Sequence, residues 1–242
     1  TSPYLMLLNS GDTVAEDALR KACEGLVKYK EEADLAMMNF LNSGKKVGEG
    51  VTSRKDASGK VEKCYCVSLN VLDDIGMVPG YWDALVWKTE AVRGMRFDQR
   101  HGAETKIELI YRILDKKRSI CLVKDAVFLS ASESRESARG YENNLKPEYY
   151  LKDLNEHWKI MSEFYREKYQ EVPLFIQCHL LYELLNRLNA NKNQSDQHAL
   201  KADQLEQFWK LCQEWLQDID DNLMVANTRV AKMPRHTYAM QY

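Results

Sequence analysis

Apolar residues recur at Ala15, Ala18, Leu19, Ala22, Leu26, Ala33, Ala36, Met37 and Phe40. Steps near three and four lay such residues along one stripe of a helix. Ahead of them, Thr13-Val14-Ala15-Glu16 fits the capping box, in which hydroxyl and carboxylate each satisfy a free backbone N–H. Asn42-Ser43-Gly44 supplies a stop, Gly44 suiting the left-handed cap. The pattern predicts one long helix over 14–42. Gly25 in its middle costs about 1 kcal/mol and marks a close packing point.

From residue 45 the period changes to two. Residues 47–52 and 61–72 flank the polar Arg54-Lys55-Asp56-Ala57-Ser58-Gly59 and read as a β-hairpin. A second hairpin is predicted from 106–114 and 119–129, joined by Asp115-Lys116-Lys117-Arg118. Its first arm alternates Ile107, Leu109, Tyr111 and Ile113 against Lys106, Glu108, Ile110 and Arg112, a spacing that also admits a helix. Residues 130–144 are serine-rich and lack apolar periodicity, as a loop does. Pro147 and Pro173 each suit the first turn of a helix. Helices are expected over 147–170, 173–190 and 196–225, the middle one apolar almost all round.

These periods predict an α+β fold: an N-terminal long helix, a central antiparallel sheet of β-hairpins and a C-terminal helical bundle. The expected divisions are a mixed α/β region 1–130, a polar Ser-rich loop 131–146, a helical region 147–226 and a basic tail 227–242.

Composition narrows the classes. With 242 residues, 45% apolar and 29% charged, the chain can bury a substantial core. The run Tyr4-Leu5-Met6-Leu7-Leu8 falls far short of the ~20 residues of a membrane helix. It also lacks a basic leader and a cleavage site, so a cytoplasmic protein without membrane contact is expected. The cysteines Cys23, Cys64, Cys66, Cys121, Cys178 and Cys212 mostly have apolar neighbours and read as reduced, packed thiols. Cys64 and Cys66 share a strand face, yet a zinc site needs two further ligands that no spaced pair supplies. Cys178 and His179 are adjacent, so on a helix they diverge by ~100° and cannot act as nucleophile and base. Asp218, Asp220 and Asp221 read as a solvated acidic face. Neither a phosphate loop nor a dinucleotide or serine-nucleophile motif is present. No cofactor, metal or catalytic residue is therefore assigned, and a non-enzyme is favoured.

The net charge of −2 hides a segregation. Residues 88–124 hold ten Lys/Arg and five Asp/Glu; residues 194–226 hold two and seven; the tail 227–242 has three bases and no acid. Clustered bases neutralise phosphates and release counterions. Arg93, Arg96, Arg100, Lys106, Lys116, Lys117 and Arg118, aided by Arg229, Lys232 and Arg235, are the expected phosphate contacts. The function expected is a non-enzymatic nucleic-acid-binding subunit, for RNA or DNA, in a larger assembly. A protein partner or self-association would use helices 14–42 and 196–225. A protein-binding scaffold or adaptor without nucleic acid is the alternative. A metal-dependent nuclease is the third, using Glu104 and Lys106 with Asp83 or Asp98.

Overall fold

The computed structural model describes residues 2–42, 54–71, 84–96, 105–130, 145–192 and 199–226. They divide into two compact units, Thr1–Arg135 and Glu136–Tyr242. No helix among the described residues is long and apolar enough to cross a membrane.

The first unit corrects the predicted 14–42 helix. The early apolar run contributes a strand, β1 (Tyr4–Met6), and the expected capping box lies in β2 (Thr13–Val14). Thr13 and Val14 pair with Leu129 and Phe128, so the helix begins later, as α1 (Ala18–Lys28), with no side-chain cap from Asp17. The apolar stripe holds through Ala18, Ala22, Gly25 and Leu26, all buried. Tyr29 then closes the helix by donating its N–H to Gly25 O at 3.0 Å. The next element is a strand, β3 (Leu35–Asn42), whose Leu35, Ala36, Met37 and Met38 are all fully buried. A continuous apolar run contains helical spacings by default, so periodicity alone does not distinguish a buried strand from a helix. Gly25 does mark close packing. A Cβ there would lie 3.0 Å from Cys121 Sγ and 3.1 Å from both Cys64 Sγ and Val123 Cγ2.

Asp56 organises a small two-stranded sheet, β4 (Arg54–Lys55) with β5 (Val61–Glu62). Its Oδ1 accepts the Ser58 and Lys60 N–H groups at 2.9 and 3.0 Å, and Gly59 (φ 81°) completes the turn. The arm predicted over 61–72 thus divides into β5 and a separate strand, β6 (Cys64–Ser68); 47–53 and Leu72 lie outside the described residues. After β7 (Leu85–Lys88) and the single turn α2 (Thr89–Val92), the second predicted hairpin is also corrected. Its first arm is a helix, α3 (Thr105–Lys117), and its second arm the long strand β8 (Ser119–Ser130). Ile110, Ile113 and Leu114 are buried at helical spacing, which outweighs the alternation read from Ile107 to Ile113. Arg118 (φ 49°) donates its N–H to Leu114 O at 2.6 Å, and the chain passes straight into β8.

The large sheet has the order β1-β7-β3-β8-β2, with β6 also on β8. It is mixed, where an antiparallel sheet was expected: β7 runs antiparallel to β1 and β3, while β3 and β8 are parallel. Between Met38 and Asn39 the register shifts, pairing Met38 with Val123 and Asn39 with Val127. On its other side β8 pairs with β6 over Ser119–Val123 and with β2 at Phe128 and Leu129. Ala18, Ala22 and Leu26 of α1 pack in one core cluster with Ala36, Met38, Val86, Cys121 and Val123.

In the second unit a π-helical turn, Tyr149–Asp153, leads into α4 (Leu154–Tyr169). Three more helices come after it, α5 (Leu174–Lys192), α6 (Ala202–Leu216) and α7 (Asp221–Ala226), so the helix expected over 196–225 is two helices. Its core gathers Tyr150, Tyr165, Phe175, Leu180, Leu181, Phe208 and Leu223. Arg187 is 2% exposed, donates to Tyr149 O at 2.9 Å and pairs with Glu183. Asp218, expected on a solvated face, instead accepts from Trp158 Nε1 at 3.1 Å and pairs with Arg166.

Candidate functional site

Strands β1, β3 and β8 point the same way, so their carboxyl ends share one edge of the sheet. Ligands of such sheets bind outside the carboxyl ends, where successive connections diverge and leave a crevice. Here that edge carries the turn after β1, the end of β3 at Asn42 and the end of β8 at Ser130. The turn is Asn9-Ser10-Gly11-Asp12. Asp12 N–H donates to Asn9 O at 3.1 Å, and Gly11 (φ 94°) supplies the left-handed position. The Asp12 carboxylate accepts Asn9 N–H through Oδ2 at 3.1 Å and the Ser130 hydroxyl through Oδ1 at 3.4 Å. Asp12 is half-buried, while Asn9 and Ser10 are exposed. The edge therefore presents an oriented carboxylate, the exposed Asn9 amide and the exposed Ser10 hydroxyl, a set suited to hydrogen-bonding a polyhydroxylated ligand.

The opposite, amino edge is where charge gathers. Asp34, just before β3, pairs with Lys88 at 3.1 Å and Lys117 at 2.8 Å. Burial alone would raise the Asp34 carboxyl, but its hydrogen bonds to Lys117 and Lys88 outweigh this and hold it below the usual carboxylate range. Beside this cluster lies a cleft of about 600 Å³ whose walls include Tyr4, Val27, Lys30, Lys88, Arg93 and Lys117.

Of the expected phosphate contacts among the described residues, Arg93 and Lys117 line this cleft. Lys116 donates to Ala91 O at 3.4 Å, and Arg118 occupies the left-handed turn that ends α3. Arg96 is exposed beyond α2. Lys106 lies at the start of α3, about 15 Å along the helix axis from Lys116 at 1.5 Å per residue. Arg100, Arg229, Lys232 and Arg235 lie outside the described residues, as do Asp83, Asp98 and Glu104 of the nuclease alternative. Among the described residues no group of three His, Cys, Asp or Glu is placed to hold a metal ion. The described residues of the basic segment are thus divided between a cleft, a helix end and a backbone turn.

All six cysteines are free. Cys64 Sγ lies 3.5 Å from Cys121 Sγ; that contact and burial push the Cys121 thiol far up, and burial pushes Cys212 up to about 12. Both are packing groups at neutral pH, not nucleophiles.

The Asn9–Asp12 turn was the feature sequence reasoning missed. Its signal was present: an apolar run, Tyr4 to Leu8, followed directly by Asn-Ser-Gly-Asp, reads as a strand ending in a turn.

No protein-family profile matches the chain. It is 20% identical over 233 residues to the minor teichoic acid biosynthesis protein GgaB of Bacillus subtilis (strain 168). That alignment takes in 94% of this chain but 24% of GgaB, so the chain spans about a quarter of this curated relative. Among solved structures, it resembles S. aureus TarS residues 1–349 with a TM-score of 0.54 at 11% identity, covering 93% of this chain and 59% of that one. The same TarS fragment with UDP-GlcNAc gives 0.54 at 12% identity (93% and 60%), and with UDP 0.53 at 11% identity (98% and 63%). These findings overturn the expectation of a nucleic-acid-binding subunit with RNA or DNA as partner. The TarS fragment is solved with a nucleotide and with a nucleotide sugar, and the described basic residues counted toward a nucleic-acid surface are scattered over separate elements. The expected association through a 14–42 helix also lapses, because that helix is interrupted by a turn and a buried strand. What the likeness shows of this chain is its fold, which combines helices with a mixed sheet.

Proposed function

We propose that the chain is the sheet-bearing part of a glycosyltransferase that uses a UDP-sugar in the synthesis of a cell-wall polymer of the teichoic acid kind. One observation carries this reading. The chain shares its fold, over 93% of its length, with a TarS fragment solved with UDP-GlcNAc. Its relation to GgaB supports the polymer class independently.

The donor is assigned to the carboxyl edge. There Asp12, fixed by Asn9 N–H and the Ser130 hydroxyl, is a carboxylate acceptor for ribose or sugar hydroxyls, and Asn9 offers both a donor and an acceptor. In the transfer, an acceptor hydroxyl oxygen bonds to the anomeric carbon and gives up its proton to solvent or a base as the bond to the diphosphate oxygen breaks. The negative charge that develops on the diphosphate calls for a cation or basic side chains. Among the described residues no group of three His, Cys, Asp or Glu accompanies Asp12 to cage a divalent cation. The chain's own contribution is to bind and orient the sugar nucleotide. A UDP-sugar donor and six free thiols both fit a cytoplasmic location.

Calorimetric titration with UDP and UDP-GlcNAc tests the reading. Saturable binding of both, weakened at least tenfold by Asp12→Ala with the fold retained, is expected. No binding of either, or binding indifferent to Asp12, would contradict it.

A further inference from the structure

At the amino edge two ammonium groups share one carboxylate. Lys88 Nζ and Lys117 Nζ both contact Asp34 Oδ1, and both donate to Lys30 O, at 2.7 and 2.8 Å. An ammonium has three N–H donors, so these contacts leave one on each lysine. The Lys88 side chain is 11% exposed and that of Lys117 29%, so water screens their surplus charge poorly. Both line the cleft, together with Lys30, Arg93, Glu31 and Glu90. Counting Asp34 behind them, four bases meet three acids and one positive charge is in excess. The Arg93 guanidinium has no ion pair among the described residues. Tyr4 and Val27 add an apolar stretch of wall, Val27 being 60% exposed.

We propose that this cleft binds a small phosphate ester. Lys88 and Lys117 act as paired point charges on the phosphoryl oxygens, and Arg93 supplies the planar fork that meets two oxygens at once. The volume of about 600 Å³ exceeds that of a bare phosphate ion and falls in the range of small-molecule sites. The organic part of the ester lies against Tyr4 and Val27. This site is at the opposite end of the strands from Asp12 and does not rest on the glycosyltransferase reading.

The test is calorimetric titration of the full chain with inorganic phosphate and with phenyl phosphate, at low and moderate salt. Saturable one-site binding is expected, tighter for phenyl phosphate and weaker as salt rises. Arg93→Gln, at an exposed position, should reduce the affinity at least tenfold with an unchanged unfolding temperature; Lys117→Gln should reduce the affinity as well, with a lowered unfolding temperature because Lys117 also pairs with Asp34. Absence of saturable binding, or binding indifferent to both substitutions, would overturn the proposal. UDP-GlcNAc titrated into the same variants separates the two sites. If the original chain binds phenyl phosphate but not UDP-GlcNAc, the cleft stands and the proposed donor site falls; Arg93→Gln should leave UDP-GlcNAc binding intact.

Discussion

The two edges of the mixed sheet are built from opposite materials. The amino edge concentrates charge, with Lys88, Lys117 and Asp34 locked together beside a backbone oxygen and a cleft. The carboxyl edge carries little charge among its described residues: a tight turn, one carboxylate and a serine hydroxyl. Charge density alone would place chemistry at the first edge. Strand direction favours the second for the sugar nucleotide of the proposed function. The difference teaches that a basic stretch is informative only once its partners are known. Lys88 and Lys117 are partly consumed in holding α3, β7 and the start of β3 together, whereas the polar groups of the Asn9–Asp12 turn stand where strands end.

The largest effect should come from breaking the amino edge. Asp34→Ala leaves Lys88 largely buried without its carboxylate. It should cost about 2–3 kcal/mol in urea unfolding, below the range for a fully buried pair because the cleft admits water. The same carboxylate sets an acid limit. Because its folded pKa is lowered, its contribution is complete above the unfolded value near 3.8 and is lost as pH falls through the lower folded value. Unfolding followed from pH 6 to pH 2 should therefore show an acid-dependent loss that Asp34→Asn removes.

Between the edges, Gly25→Ala forces a methyl against two sulfurs and a valine at 3.0–3.1 Å. Overpacking of this kind costs about 1–3 kcal/mol, against a helix-propensity gain near 1 kcal/mol. A net loss of about 1 kcal/mol is expected in the same urea assay; a stabilised variant would show that α1 sits farther from β8 than these distances require. At the carboxyl edge, Asp12→Asn should cost under about 1 kcal/mol of stability while weakening UDP-GlcNAc binding in titration. Smallest of all, Arg93→Gln should change stability by less than about 0.5 kcal/mol. A larger loss would mean that Arg93 holds the fold and is not available to a ligand.

The elements that were legible in the sequence are those with one buried face. The α1 stripe from Ala18 to Leu26 read correctly because polar residues separate its apolar ones. Leu35–Met38 did not, since a strand buried on both sides has no alternation to distinguish it from a helix. In α3 the reverse happened: Ile107, Leu109, Tyr111 and Ile113 imitate a strand, and only the burial of Ile110 and Leu114 decides for a helix. Parallel pairing of β3 with β8 joins residues more than eighty positions apart, which no local pattern encodes. The candidate site was lost with it. Asp12 and Ser130 are brought together by that pairing and by β2, and neither carries a motif of its own.

Backbone amide NMR during a UDP-GlcNAc titration reads both edges in one spectrum. Binding at the carboxyl edge should give saturable shifts centred on Asn9–Asp12 and Ser130, with Lys88, Arg93 and Lys117 little changed. Shifts centred on Lys88, Arg93 and Lys117, with the Asn9–Asp12 turn unmoved, would contradict it.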